Sequence, residues 1–435
     1  MTIGKKYAKY VSQNILGMLG ISLYILADTF FISLAKGADG ITALNLVLPL
    51  YSIIYALGAM IGVGSAIRFA IMRAKREEGA DFRFVNAIFF VCVVSIPFIL
   101  AGLLIPERIV AFMGADATIV AVGTPYTRIF LLFTPFFMLN YVFTSFVRND
   151  GDPGLAMAAT LSSSLFNIVF DYILMFPCGM GMAGAALATA ISPVIGIAIC
   201  VNHFWKKTNT IRIRFERPSL KMCLSDCKLG ISAFIGELSS GVTTMVFNMV
   251  ILQIAGNVGV AAYGVVANTS LVAVSIFNGV ANGSQPLLSE FYGKGDGASV
   301  KKVLKLSVGT AVAIAGVLLA VVFALAEPIV AVFNSENSLE LASYGISGIK
   351  LYFVGFLIAG VNIAITGYFS ATDKPKEAFL ASMSRGVVAI IVCAIVMSFV
   401  WGMNGVWLSF AVAEVLTILL VVCLVRKNEY KRGFL

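Results

Sequence analysis

Long apolar stretches, separated by short polar turns, fill the chain from one end to the other. Each stretch holds about 20 residues, the length that an α-helix needs to cross a hydrocarbon core of about 30 Å. Turn-forming residues mark the breaks, as in Gly37-Ala38-Asp39-Gly40. The pattern predicts twelve membrane-spanning helices, which we number α1 to α12: 10–35, 43–70, 84–105, 121–147, 155–176, 183–205, 231–256, 261–288, 303–326, 343–370, 378–400 and 405–426.

Composition and charge agree with this pattern. The 435 residues are 59% hydrophobic and only 12% charged, whereas soluble domains carry about 25% charged residues. The net charge of +9 comes from polar connections, so it predicts no nucleic-acid partner. Of the 31 basic residues, 27 fall on the side that holds both termini, and only Lys36, Arg108, Arg128 and Lys350 fall on the other. Loops on the cytoplasmic side of a membrane protein carry an excess of Lys and Arg. Both termini are therefore predicted to be cytoplasmic, in an inner or plasma membrane.

The two halves of the chain resemble each other. Three short patterns recur at offsets of 219, 222 and 221 residues: Gly64-Ser65 and Gly283-Ser284, Pro153 and Pro375, and Met182-x-Gly184-x-x-Leu187-x-x-Ala190 and Met403-x-Gly405-x-x-Leu408-x-x-Ala411. Each half holds six helices, so both halves enter the membrane from the same side. We therefore predict an all-α membrane protein of two six-helix bundles related by a pseudo-two-fold axis along the membrane normal. Residues 1–205 form the N-lobe, 206–230 a cytoplasmic linker and 231–435 the C-lobe.

Four acidic residues lie inside apolar stretches: Asp28, Asp171, Glu237 and Glu414. A charged carboxylate at the centre of a bilayer costs about 2.5–3.5 kcal/mol even on the lenient insertion scale, so such a residue is a functional candidate by default. In apolar surroundings a carboxyl group either keeps a proton or pairs with a cation. The pattern therefore predicts an ion-coupled transporter.

The acids of the N-lobe have polar companions. Asn167 and Asp171 are four residues apart on α5 and share one face of the helix, Thr189 lies on α6, and Asp28 lies on α1. Carboxylate, amide and hydroxyl oxygens suit a proton or a small alkali cation such as Na⁺, and do not suit a soft metal. As an alternative, Asn167 and Thr189 only hydrogen-bond to neighbouring helices.

These residues resemble the multidrug and toxic compound extrusion (MATE) family over nearly the whole chain. The motifs are Ala27-Asp28-Thr29-Phe30-Phe31-Ile32-Ser33 on α1, Asn167-Ile168-Val169-Phe170-Asp171 on α5, Arg148-Asn149-Asp150-Gly151-Asp152-Pro153, and Gly283-Ser284-Gln285-Pro286. The resemblance implies that Asp28, Asn167, Asp171 and Thr189 form an N-lobe proton or Na⁺ site. It also implies that Glu237, after Gly236 on α7, is the acidic residue of the C-lobe, which binds substrate or ion.

The C-lobe departs from the family pattern. Some members carry a second acid on α10, where this chain offers Asn362 and Thr366; with Gln285 these are candidate polar residues of a cavity. Glu414 on α12 either faces substrate or hydrogen-bonds across helices while protonated, and the sequence leaves both readings open. The only histidine, His203, is expected at the membrane surface.

The function predicted is a multidrug antiporter that rocks between two states, exchanges organic cations or drugs for H⁺ or Na⁺, needs no other cofactor and acts as a monomer. A flippase for lipid-linked oligosaccharides, in the same superfamily, is the alternative. Its pyrophosphate substrate needs inward-facing bases, which only Arg68, Arg128, Lys350 or Arg385 could supply. An enzyme is not expected, because the chain has one histidine, scattered cysteines and no P-loop.

Overall fold

The computed structural model describes residues 2–334 and 338–431, which are almost entirely helical and contain no β-strand. The bounds of α1 to α12 are Ile3–Gly37, Asp39–Lys75, Phe82–Leu104, Ala117–Leu132 with Thr134–Asn149, Pro153–Met175, Met182–Val201, 220–256, 257–293, Gly297–Phe333, Leu339–Val354 with Phe356–Ala371, 375–400 and 403–431. A short helix, Pro106–Phe112, precedes α4. The prediction of an all-α membrane protein with twelve spanning helices is confirmed.

Two helices, α4 and α10, are bent, which our sequence analysis did not predict. The two segments of α4 meet at 48°, and those of α10 at 44°. In α4 the bend lies directly before Pro135, whose ring cannot continue the preceding helix. In α10 the bend lies at Gly355, whose added Cβ would meet the Phe410 ring at 2.5 Å. The bend in α10 therefore lies where its backbone packs closely on α12.

The repeat that the sequence predicts is visible in the backbone. Gly37 ends α1 at φ 57°, ψ −141°, and Gly256 ends α7 at φ 58°, ψ −154°. Gly181 before α6 has φ 52°, ψ −129°, and Gly402 before α12 has φ 54°, ψ −133°. Side chains disfavour this conformation, so glycine is the residue that permits the turn. Equal turns at equal places in both halves support the internal repeat.

Each half has its own apolar core. One core is built from residues between 32 and 211 and includes Phe130 and Phe146. The other is built from residues between 247 and 413 and includes Phe277, Phe353 and Trp407. The two-bundle architecture is thus confirmed, while the exact lobe boundaries at 205 and 230 stay a prediction.

Small residues let the two lobes approach at the end that carries most basic residues. A Cβ on Gly230 of α7 would lie 2.0 Å from the Met60 carbonyl oxygen of α2, and one on Gly64 would lie 2.3 Å from the Asp226 carbonyl oxygen. Gly283 of α8 packs in the same way on Val11 of α1. The helices of the two lobes therefore cross backbone to backbone at this end.

Ion pairs join the lobes at the same end. Arg68 of α2 donates two hydrogen bonds of 3.0 Å to the Asp373 carboxylate, which follows α10. Lys6 of α1 contacts Glu290 of α8 at 2.7 Å. Arg83, at the start of α3, contacts Asp226 at 2.5 Å. These contacts close this face of the protein between the lobes.

The expectation for His203 is wrong. Its side chain is completely buried, with Nε2 2.8 Å from Asp150 Oδ2 and Nδ1 3.4 Å from Asp152 Oδ2. Arg73 also binds Asp150, and the backbone N–H of Thr210 in the linker donates to it at 2.8 Å. The turn that precedes α5 therefore covers the histidine, which anchors the linker to the N-lobe.

Candidate functional site

The structure brings the four predicted residues of the N-lobe together. Asp171 and Asn167 of α5 are completely buried, Thr189 of α6 is almost so, and Asp28 of α1 is only 8% exposed. The amide nitrogen of Asn167, oriented toward Asp171, lies 3.1 Å from its Oδ2. The amide oxygen then accepts from the Thr189 hydroxyl at 3.2 Å and from the Thr189 backbone N–H at 3.3 Å. Three helices thus converge on one polar cluster.

The two carboxyl groups of this cluster lie within hydrogen-bonding reach of each other. A hydrogen bond between two carboxyl groups requires one proton, because a carboxylate can only accept. Oδ1 of Asp28 and Oδ1 of Asp171 have no hydrogen-bond partner. Over residues 2–334 and 338–431, neither acid forms an ion pair with a basic side chain. The arrangement can hold a proton or a small cation.

Aromatic side chains line α2 and α4 beside this cluster. The Tyr51 ring stacks on Phe130 with centroids 3.7 Å apart, and Phe130 stacks on Phe137 at 4.3 Å. Tyr55, one turn after Tyr51, meets Phe137 edge to face at 5.6 Å. The sequence signal for this wall is the Tyr51-x3-Tyr55 spacing on one face of α2, and our sequence reasoning missed it. Aromatic faces attract organic cations.

Glu237 joins the two lobes in the middle of the membrane. Tyr141, on α4 of the N-lobe, donates a hydrogen bond of 2.9 Å to Glu237 Oε1 on α7 of the C-lobe. The Tyr141 ring lies 6.4 Å from the Tyr55 ring, so the aromatic wall continues to this acid. Glu237 is half-buried. It therefore contacts the opposite lobe, and no pattern within one half of the sequence could reveal this contact.

Glu414 belongs to a separate cluster inside the C-lobe. Arg385 of α11 donates from Nε to Glu414 Oε1 at 2.7 Å, and Asn362 of α10 donates from Nδ2 to Glu414 Oε2 at 2.7 Å. The glutamate is 1% exposed. It thus hydrogen-bonds across helices, as one of our two readings held, but with an arginine as partner.

The remaining predicted polar residues of the C-lobe stay outside this cluster. Gln285 of α8 is 4% exposed, and neither its amide oxygen nor its amide nitrogen has a hydrogen-bond partner. Thr366 is half-buried on α10. The structure does not bring either of them to the four N-lobe residues.

Comparison with known proteins agrees with this geometry. The MatE family model matches residues 14–173 and 233–395. The Multidrug export protein MepA of Staphylococcus saprophyticus is 27% identical over 417 residues, which cover 94% of this chain and 91% of that protein. MepA of Staphylococcus aureus is 28% identical over 420 residues, with the same shares covered.

Solved structures show the same fold. A multidrug resistance MATE family transporter of the MOP superfamily, in an outward-facing conformation, superposes with a TM-score of 0.93 at 22% identity over 100% of this chain and 98% of that one. A MOP superfamily transporter from Pyrococcus furiosus, described as having a binding pocket of reversed polarity, gives a TM-score of 0.91 at 22% identity over 98% and 96%. The family model covers both repeats and most of the sequence, and the chain belongs to the MatE family of multi-pass membrane transporters.

Proposed function

We propose that this protein is a multidrug antiporter that exports amphipathic organic cations in exchange for H⁺ or Na⁺. The relatives named MepA are multidrug export proteins, which supports drug export by this chain. The proposal places it as a monomer in the cell membrane with both termini in the cytoplasm. The concentration of basic residues at that end supports this orientation.

One observation carries the coupling part of the proposal. Asp28 and Asp171 are buried acids in contact with each other, without a basic partner among the described residues. A buried charge without a partner is costly, so the pair gains stability when a proton or cation neutralises it. In this proposal the coupling ion therefore binds at Asp28 and Asp171, where it neutralises a buried charge.

Transport follows if the ion prefers one of two states. The cytoplasmic face is closed by Arg68–Asp373 and Lys6–Glu290, so the structure has the features of a state that opens outward. An ion from outside reaches the acidic pair, cancels its charge and favours release of the drug and return to the inward-open state. An ion can shift this equilibrium only by its different affinity for the two states.

The drug occupies the space between the lobes in this proposal. Glu237 offers a negative charge from the C-lobe, and Tyr141 and Tyr55 offer aromatic faces from the N-lobe. Cation–π contacts are worth about 0.5–2 kcal/mol each, and aromatic surfaces accept many ligand shapes. A site built this way binds flat organic cations without strict selection.

A flippase for lipid-linked pyrophosphates is less well supported. Arg385 is a base of the C-lobe, but it is a single guanidinium that already contacts Glu414 at 2.7 Å, whereas a pyrophosphate carries at least two negative charges. The N-lobe cluster, in contrast, has two acids and no base. Its local charge attracts cations and repels a pyrophosphate.

The coupling proposal can be tested with isosteric amides. We expect Asp28→Asn and Asp171→Asn to lower ion-driven efflux of a fluorescent organic cation by at least about tenfold, which corresponds to about 1.4 kcal/mol. The matched control is Asp39→Asn, an exposed acid at the start of α2. Protein level in the membrane is measured for every variant. Efflux at the normal rate by both buried-site variants would contradict the proposal.

The coupling ion can be identified in proteoliposomes. Efflux is measured under a proton gradient alone, a sodium gradient alone, both, and neither. We expect faster efflux with the proton gradient alone or the sodium gradient alone than with neither gradient. Equal efflux in all four conditions would mean that this pair couples no ion.

A further inference from the structure

The two lobes have similar backbone folds but different buried side chains. At the repeat offsets of 219–222 residues, the C-lobe counterparts of Asp28, Asn167, Asp171 and Thr189 are Phe247, Ala389, Cys393 and Phe410. None of these can hold an ion as an oxygen ligand. The buried polar chemistry of the C-lobe is instead the set Asn362, Arg385 and Glu414. At the same offsets its N-lobe counterparts are Asn140, Ser163 and Pro193, so the two lobes share only the amide.

A local distortion of α11 presents Arg385. Residues Ser384–Val388 form a π-helical turn, a distortion that is often found at functional sites. The next residue, Gly386, lies against α7, because a Cβ there would fall 1.8 Å from Ser239 Oγ. Ser384 hydrogen-bonds to Thr417 of α12 at 3.0 Å. The turn is therefore held between α7, the helix that carries Glu237, and α12.

Glu414 holds the arginine without using all its donors. Both carboxylate oxygens are occupied, one by Arg385 Nε and the other by Asn362. A guanidinium has five N–H donors, and within the described residues only the Nε–H of Arg385 has a hydrogen-bond partner. The four Nη–H donors remain for a ligand, in a direction fixed by the glutamate.

Part of the Arg385 side chain is not covered by the protein. Its side chain is 23% exposed, and it lies about 15 Å along α11 from the cytoplasmic start of the helix at 1.5 Å per residue. At such a depth an arginine faces a protein interior or a water-filled cavity, because exposure to lipid is costly. Because Gly386, the next residue, packs on Ser239 of α7, the geometry points to the space between the lobes.

We propose that Arg385 is an anion-binding subsite for a carboxylate group of the transported molecule. The planar guanidinium matches a carboxylate through paired N–H···O bonds. Glu414 and Asn362 act as positioning residues behind it. The substrate class is a zwitterion, with its cation toward Glu237 and the N-lobe and its carboxylate on Arg385. This inference rests on the proposed function.

Two dyes that differ in one group test the subsite. Rhodamine 19 carries a free carboxylate, and rhodamine 6G is its ethyl ester with the same cationic ring system. Dissociation constants are measured by fluorescence polarisation with the purified full chain. We expect Arg385→Gln to lower the preference for rhodamine 19 over rhodamine 6G at least tenfold. An unchanged preference would overturn the subsite.

A double variant controls for the effect of leaving Glu414 without its basic partner. Arg385→Gln leaves Glu414 buried without its partner, whereas Arg385→Gln with Glu414→Gln keeps the cluster neutral. The double variant must lose the same preference if the guanidinium binds carboxylate. Arg385→Lys keeps the charge without the fork, and we expect it to lose the preference only in part. Arg128→Gln, at an exposed base of the outer end, is the matched control and keeps the wild-type preference.

The result also separates the subsite from the function on which it rests. If the wild-type protein binds rhodamine 6G but does not bind rhodamine 19, the proposed antiporter function stands and the subsite is overturned. Binding of neither dye contradicts the proposed function, and the subsite falls with it.

Discussion

In the proposed mechanism, individual side chains decide how the N-lobe cluster holds an ion. Asn167 lies between Asp171 and Thr189, so the hydroxyl of Thr189 fixes the amide that contacts the acid. Our proposal makes the carboxyl groups the charged partners of the ion, whereas the amide and the hydroxyl set the positions of these groups. The two kinds of residue should therefore respond differently to substitution.

Thr189→Val tests the positioning part. It removes one neutral hydrogen bond, which is worth about 1 kcal/mol, so the ion concentration for half-maximal efflux should rise about fivefold while the maximal rate changes little. Thr189→Ser keeps the hydroxyl and should restore the normal value. A loss of maximal rate with unchanged ion dependence would show that the hydroxyl has another role.

Another buried acid lies outside the membrane spans, at the turn before α5. Burial alone would raise the pKa of Asp150, but hydrogen bonds from His203 and Thr210, together with Arg73, bring the pKa below its ordinary value. A lowered pKa in the folded state means that the ionised group stabilises the fold at neutral pH. This contribution is present above the ordinary pKa of about 3.9 and is lost as pH falls through the lower folded value.

The corresponding prediction concerns Asp150→Asn. At about pH 7 the variant should have a lower Tm in detergent than the wild type, and the difference should shrink as pH falls below about 3.9. Asp39→Asn, at an exposed site, should show no such difference at any pH. A Tm difference that is constant with pH would show that the charge of Asp150 does not stabilise the fold.

The sequence could predict residues whose burial in the membrane costs free energy. Asp28 and Asp171 stand out because acids are rare in apolar helices, and Asn167 stands out because it shares a helical face with Asp171. Tyr141 and Arg385 do not stand out, since a tyrosine packs well almost anywhere and an arginine near a helix end has an ordinary solvated reading. Their roles depend on partners in another helix. The burial of His203 likewise depends on a turn 51 to 53 residues away.

At the scale of helices, the twelve spans follow from apolar length and turn residues, and the repeat follows from short motifs. The bends in α4 and α10 do not, because a bend is set by what packs against the helix as well as by its own residues. Inter-lobe crossings were also hidden. Gly230 and Gly64 look like ordinary helical glycines until the opposite backbone is in place.

The crossing of α2 and α7 gives a prediction about whole elements. Gly230→Ala places a methyl group 2.0 Å from the Met60 carbonyl oxygen, which forces the helices apart at a cost of about 1–3 kcal/mol. Hydrogen–deuterium exchange in residues 60–72 should then rise. Gly236→Ala on the same helix meets nothing within 4 Å and is the matched control. Equal exchange in both variants would contradict tight packing at this crossing.

At the scale of the molecule, our proposal gives two similar lobes different parts of one transport cycle. The N-lobe carries the proposed ion site, the C-lobe carries Glu237 and the Arg385 cluster, and Tyr141 links the two lobes. Over residues 2–334 and 338–431, the side-chain hydrogen bonds between the lobes lie toward the end that carries most basic residues or in the middle, such as Ser22–Ser275 at 2.6 Å. In the proposed cycle, release of the contacts at this end is therefore the step that converts one state into the other.

Arg68 and Asp373 form the strongest candidate for that step. Their two hydrogen bonds of 3.0 Å join α2 to the turn after α10. Both side chains are partly exposed, at 19% and 29%, so the pair is worth about 1 kcal/mol.

We expect Arg68→Ala or Asp373→Ala to shift the equilibrium toward the inward-open state about fivefold. Double electron–electron resonance can measure this shift as longer distances between labels on the cytoplasmic ends of α2 and α10. High salt should produce a smaller shift in the same direction, because salt screens exposed charges. The exchanged pair, Arg68→Asp with Asp373→Arg, should recover part of the closed population. If both single variants leave the distances unchanged, the closure must depend on the backbone crossings at Gly64 and Gly230 instead.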